Sequence, residues 1–296
     1  MNSKKLTIKD SSLSFLLSFL FCQIAIVTLT IIIIFIGRFY NINSDEINVF
    51  LNTSCGYLIT STVTYATILL TFLFFNKKAD NKITQKIELK KILMYIGVSI
   101  LSFFALFPIV TCFNTLLIKF GVKINSLPYS LTTKNYFISI ISLAIFPAVC
   151  EELLFRGLIF KGLKQHGKTF SIIISTLMFT LFHMSLSQAV YPLLVGLLFG
   201  VIMYYENNIY YCIVVHFVNN LLSLTISYFN INLVFNHWTF IIMAITLLVV
   251  FLSIIFYILV KNKRIEKKQS IETQNKKIFI ACLSVMILFW LLVNFI

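Results

Sequence analysis

Two adjacent glutamates, Glu151 and Glu152, and an arginine, Arg156, stand in CEELLFRG (150–157), inside a long apolar run. An unpaired charge at mid-bilayer costs about 2.5–3.5 kcal/mol on insertion scales, so ionisable groups in such a run are candidates for chemistry. Helical positions four apart share a face, and Glu152 and Arg156 have that spacing, so each can neutralise the other in place. Glu151 is turned by about 100° from Glu152 and has no such partner on its own helix. It needs a group from another helix, a water or a proton. Glu152–Arg156 is therefore read as structural support and Glu151 as the reactive group. The plainer reading is a charge network that only pins helices together.

Two histidines fall in later apolar runs, His183 in FTLFH (179–183) and His216 in HFVNN (216–220). Phe179 and His183 share a face by spacing, as do His216 and Asn220, with Asn219 expected to turn aside. At about 1.5 Å rise per residue, Glu151 lies roughly 15 Å from the end of its helix near Lys161, His183 roughly 20 Å from Phe170 and His216 roughly 10 Å from Ile209. One shared polar cavity can hold all three. A carboxylate and a histidine holding one water form a general-base pair for hydrolysis, and a second histidine with an asparagine amide can donate to a tetrahedral oxyanion. No G-x-S-x-G and no H-E-x-x-H occurs, so neither a serine nucleophile nor a zincin helix has support. Glu151, His183 and His216 could also ligate a zinc ion with an open water position, and residue types alone do not separate the two schemes. On the glutamate–water scheme no cofactor is required.

The elements that must position these groups are membrane helices. The chain has 296 residues, is 59% hydrophobic and only 11% charged, and has a mean hydropathy of +0.95; soluble domains average about 25% charged residues. Apolar runs long enough to cross a hydrocarbon core of about 30 Å recur throughout. The expected fold is all-α, a polytopic transmembrane bundle of eight to nine spans with the polar site in its central helices. The spans are read at 13–37, 54–75, 92–118, 136–160, 170–186, 188–205, 209–229, 238–260 and 278–296. The fifth is short and the turn after it tight, which allows a re-entrant or tilted arrangement. Residues 1–296 read as a single membrane domain and 136–229 as its catalytic core, with the other helices expected to pack and anchor. Pro147 can kink the fourth span or free a carbonyl. Gly196 and Gly200 form G-x-x-x-G, which favours close helix approach, and Gly157 allows close packing beside Arg156.

The net charge of +14 sits in the connectors. With the N-terminus cytoplasmic, nineteen Lys and Arg fall inside and four outside, Arg156 set apart, in keeping with the positive-inside rule and a C-terminus outside. The expected location is the cell membrane, multi-pass, with lipid headgroups as partners of the basic loops. A nucleic-acid partner is not expected, because the lysines lie between spans. The six cysteines are scattered with no C-x-x-C, which excludes a redox motif. Abundant Ile, Asn, Lys, Phe and Tyr hint at an AT-rich, bacterial genome.

EELLFR (151–156), FTLFH and HFVNN carry E-E-x-x-x-R, F-x-x-x-H and H-x-x-x-N in the order seen in the CPBP family. These are the CAAX-protease and bacteriocin-processing intramembrane endopeptidases, also called the Abi family. The chain resembles that family over about 145–222, roughly a quarter of its length, and no motif residue is missing. The resemblance implies an all-helical intramembrane protease acting on a membrane-associated peptide or protein. It implies that Glu151 and His183 activate water, that His216 and Asn220 meet the oxyanion, and that Arg156 supports Glu152. Members were long described as metalloproteases, so the metal question applies here too. Eukaryotic members cleave prenylated C-a-a-X tails; bacterial ones are linked to peptide maturation or self-immunity, and composition favours the bacterial kind.

Two alternatives remain at this stage. One is a non-catalytic membrane scaffold or bacteriocin self-immunity protein built on the same fold. The other is a proton-coupled transporter, since Glu and His inside membranes also mark proton paths. The polar set is confined to one part of the chain and no inverted repeat is visible, which counts against the transporter.

Overall fold

The computed structural model describes residues 5–78, 86–124, 131, 133–229, 245, 248–249 and 273–295. Among these there are nine helices and no strand: α1 (Ile8–Phe39), α2 (Ser44–Leu51), α3 (Ser54–Lys78), α4 (Leu89–Lys119), α5 (Asn135–His166), α6 (Lys168–Phe182), α7 (Val190–Glu206), α8 (Ile209–Tyr228) and α9 (Thr273–Phe295). Six of them, α1, α3, α4, α5, α8 and α9, are long and apolar enough to cross a membrane. The chain is thus a multi-pass, all-α membrane protein. Local signals start the helices where the sequence offers caps. Thr7 and Asp10 close a capping box at α1, and Asn43 and Glu46 close another at α2.

The span count differs from expectation. The expected spans at 170–186 and 188–205 are the short helices α6 and α7, of 15 and 17 residues. At about 1.5 Å per residue they reach roughly 22 and 25 Å, short of the hydrocarbon thickness. Apart from residues 245 and 248–249, the expected span at 238–260 lies outside the described residues, as does His237. Helix α2 was not anticipated, because its eight residues lie in the polar segment between two apolar runs.

The helices α5, α6, α7 and α8 form the centre, with α1, α3, α4 and α9 around them. Small residues allow the close approaches. Ser11 Oγ donates to Ile159 O at 2.9 Å between α1 and α5, and Ser99 Oγ donates to Val215 O at 2.9 Å between α4 and α8. A side chain at Gly162 would meet Thr7 O at 2.6 Å, so only glycine permits α1 to dock there. The G-x-x-x-G of α7 faces α6. A Cβ on Gly196 would lie 3.1 Å from Thr176, and one on Gly200 would lie 3.1 Å from Ile172. By contrast Ile24, Val27, Ile31 and Phe35 of α1 are exposed, as lipid-facing residues must be.

Among the described residues, Lys86, Lys91, Lys164 and Lys168 gather at one end of the bundle. Lys164 donates to Asn207 at 3.1 Å, Lys168 donates to the Tyr205 hydroxyl, and Lys91 pairs with Glu206 at 2.7 Å. Asn208 also donates to Lys86 O at 3.1 Å. The start of α6 and the end of α7 therefore sit together. The hairpin returns to the end it left, so α8 begins on the side where α5 finished, whether or not the hairpin crosses the membrane.

Candidate active site

Helix α5 is not a uniform rod. It contains two π-helical segments, Ile140–Ile145 and Leu153–Ile159, with an α-helical segment Phe146–Glu152 between them. Such widened turns are frequent at functional sites. The first has a cause in the sequence. Pro147 carries no N–H and its ring crowds the carbonyl four residues earlier, which is Leu143 O. The Asn220 amide donates to that same oxygen at 3.2 Å.

Glu152 and Arg156 form the pair their spacing predicts. Both are fully buried, with Arg156 Nη1 at 3.1 Å from Glu152 Oε1. Arg156 Nη2 donates to Gly196 O at 3.2 Å, tying α5 to α7. Its guanidinium lies over Phe179 at 4.5 Å and Phe199 at 4.9 Å, contacts that stabilise a desolvated cation. Glu152 Oε1 also accepts from His216 Nδ1 at 2.9 Å. The carboxylate can only accept, so Nδ1 carries the proton and Nε2 faces away from Glu152. His216 Nε2 points toward Glu151 Oε2 at 3.9 Å, too long for a direct hydrogen bond.

Glu151 is 7% exposed. Its Oε1 accepts a long bond from the Tyr65 hydroxyl of α3 at 3.3 Å, and Oε2 is buried without a hydrogen-bond partner among the described residues. His183 caps the end of α6. Its Nδ1 bonds Phe179 O at 2.9 Å; a carbonyl accepts, so Nδ1 donates and Nε2 is left as an acceptor. Both site histidines thus carry a proton on Nδ1.

A cavity of about 240 Å³ brings these groups together, with Glu151, His183, His216 and Asn220 all in its wall. Glu152 and Arg156 are not in that wall; they sit behind it. A second cavity of about 420 Å³ meets the first along His183, Gln188, Tyr191, Pro192 and Asn220 and runs toward α4. A hydrolytic site needs room for one water and for extended chain on either side of it, and these two spaces have that form. Glu151 and His216 are the only two of the suggested metal ligands seen to approach each other. Among the described residues no three His, Cys, Asp or Glu side chains converge closely enough to hold a metal ion.

Two expectations need correction. Asn219 does not turn aside: it is 1% exposed and lines the same cavity as Asn220. Positions three apart on a helix also share a face, and Asn219 stands three after His216. Nor do the flanking helices only pack and anchor. Tyr65 from α3 touches Glu151, and Asn294 of α9 holds the turn after His183, accepting from Leu186 N at 2.6 Å. A tyrosine within the Thr- and Ser-rich stretch 60–67 and an asparagine in an apolar last helix were the available signals.

Residues 133–222 match the model of a family described as type II CAAX prenyl endopeptidase Rce1-like. The matched stretch comprises α5 to α7 and most of α8 and is consistent with a CPBP-type intramembrane protease; it spans just under a third of the chain. No curated protein and no solved structure matches the chain.

Proposed function

We propose that the chain is an intramembrane endopeptidase that hydrolyses a peptide bond of a membrane-associated peptide or protein with water activated by Glu151 and His183. The observation that carries this reading is a buried cavity in which an unpartnered carboxylate oxygen, Glu151 Oε2, faces two histidines that each present Nε2. A water about 2.8 Å from both Glu151 Oε2 and His216 Nε2 fits the gap between them. Glu151 takes one proton of that water as the oxygen attacks the substrate carbonyl, and His183 Nε2 accepts a hydrogen bond from the other. The resulting oxyanion is met by an amide of the neighbouring α8 asparagines and by His216 Nε2–H, for which His216 enters the cycle as the imidazolium with its second proton drawn from solvent. Glu151 then passes its proton to the leaving nitrogen, which completes hydrolysis without a covalent intermediate.

Glu152 and Arg156 hold His216 and stay out of the chemistry. The second cavity receives the chain beside the scissile bond. The family match favours a C-a-a-X-type substrate. The lysine-rich end is placed in the cytoplasm by the positive-inside rule, in the cell membrane.

The test is cleavage of a fluorogenic prenylated peptide ending in Cys-a-a-X by the full chain in proteoliposomes. Glu151→Gln and His183→Ala should each lower kcat by about 10²–10⁴-fold, the range of a lost general base. Equal cleavage by the parent and both variants would overturn the assignment. Parallel metal analysis and strong chelation decide the metal question. Activity that survives with no bound metal selects the glutamate–water scheme; loss restored by added zinc selects the metal one.

A further inference from the structure

A carboxylate has two equivalent oxygens, and the torsion that swaps them is broad, so a glutamate side chain does not by itself present one oxygen to a reaction. In Glu151 the two are distinguished. The Tyr65 hydroxyl of α3 donates to Oε1 at 3.3 Å, and Oε2 lies 3.9 Å from His216 Nε2. Tyr65, Glu151 and His216 share the wall of the smaller cavity. Residue 65 lies outside the stretch 133–222 that matches the family, so that match assigns it no role.

Tyr65 is itself held in place. Its ring packs against Phe146 of α5, with ring centroids 6.0 Å apart. The turn of α3 that carries it is tied to α1 by Cys22, whose Sγ lies 3.0 Å from Thr67 Oγ1 and 3.6 Å from Thr64 O. At 3.3 Å the bond to Glu151 is longer than an ordinary O–H···O bond. Catalytic hydrogen bonds are often long in the free enzyme and tighten once substrate is bound.

We infer that Tyr65 is a positioning residue for Glu151: its hydroxyl occupies Oε1, so that Oε2 is the oxygen that takes a proton from the attacking water. As the C–N bond breaks, Oε2 returns that proton to the leaving nitrogen. This rests on the endopeptidase reading above and brings α3 into the machinery of the site. Tyr65 acts on the carboxylate and not on the substrate, so its hydroxyl serves the chemical step rather than binding. An aspartate at position 151, one methylene shorter, would stand beyond its reach.

The experiment compares the parent, Tyr65→Phe, Glu151→Asp and the double variant in proteoliposomes, with kcat and KM for the fluorogenic prenylated Cys-a-a-X peptide and Tm for each protein. Tyr65→Phe keeps the ring and its packing and removes the hydroxyl alone. Its kcat should fall about tenfold, the scale of a slightly misplaced catalytic group, with KM and Tm little changed. Glu151→Asp should lower kcat by itself. Adding Tyr65→Phe to it should lower kcat no further, because the hydroxyl acts only through the Glu151 carboxylate. A parent that cleaves while Tyr65→Phe keeps its kcat overturns the inference and leaves the endopeptidase reading standing. So does the same fold-loss from Tyr65→Phe in both backgrounds, which marks a role independent of Glu151. So does a rise in KM at unchanged kcat, which would assign Tyr65 to substrate binding. A parent that cleaves no peptide overturns the endopeptidase reading and this inference with it.

Discussion

Glu151 and Glu152 are neighbours in the chain and opposites in the fold. Glu152 sits in a sealed knot: Arg156 and His216 bond its Oε1, Arg156 goes on to Gly196 O, and two phenylalanine rings cover the guanidinium. Glu151, one residue earlier, opens onto a cavity with an oxygen unpartnered. The knot is not perfectly satisfied either, since Glu152 Oε2 and Arg156 Nε have no hydrogen-bond partner among the described residues. What separates the two regions is access. The unpartnered atoms of the knot face packed side chains, and Glu151 stands in the wall of a cavity. A membrane protein can thus keep three ionisable groups in one helix by closing two of them against each other and leaving the third at a cavity.

The largest effect should come from breaking the knot. Arg156→Met removes the guanidinium from a fully buried site and leaves Glu152 without its arginine partner. Losing one member of a buried pair costs about 3–5 kcal/mol. Thermal unfolding in detergent should show a large drop in Tm. Replacing both partners, Glu152→Gln with Arg156→Met, should recover much of it, because no unpaired charge is then buried. Activity should not return with stability in the double variant, since His216 Nδ1 has lost its carboxylate acceptor. Full activity in the double variant would show that the knot does not orient His216.

A smaller effect should come from the contact between knot and hairpin. Gly196 gives Arg156 its carbonyl and α6 its close approach. In Gly196→Val the new side chain meets Thr176 at 3.1 Å and Phe179 at 3.2 Å. Overpacking of this kind costs about 1–3 kcal/mol. Phe179 carries the carbonyl that fixes His183, so kcat should fall as well as Tm. Tm and kcat measured on one preparation check this. A variant that loses Tm and keeps kcat would uncouple the two regions.

The sequence makes the knot more legible than the cavity, and the reason is range. Glu152–Arg156 and Phe179–His183 are contacts within one helix, set by the 3.6-residue period, and both form as their spacing predicts. The run lengths likewise place eight of the nine expected apolar runs on helices. Contacts between helices carry no such period. Tyr65 to Glu151 joins residues 86 apart and His216 to Glu152 residues 64 apart, so only the fold reveals them. Spacing does not separate Asn219 from Asn220, because positions three and four after His216 lie on one face of the helix. Pro147 announced a freed carbonyl, but not that Asn220 would take it.

The smallest of these effects reaches the cavity from farthest away. Asn294, on α9 and outside the matched stretch, accepts from Leu186 N at 2.6 Å and donates to Met184 O at 3.4 Å. These bonds grip the turn that follows His183. Met184 in that turn holds φ at +50°, a left-handed conformation that costs a non-glycine residue about 1–2 kcal/mol. The turn therefore needs an outside hold to keep His183 at the cavity wall. Asn294→Leu leaves the knot untouched, so stability should fall by only about 1–2 kcal/mol, the worth of the two hydrogen bonds lost to the turn. With the turn loosened, kcat should fall about tenfold, because a catalytic group displaced by about 1 Å can cost up to 10²-fold. Paired kcat and Tm measurements on Asn294→Leu and Gly196→Val check the ordering. If Asn294→Leu lost as much Tm as Gly196→Val, α9 would belong to the scaffold of the knot rather than to the wall of the cavity.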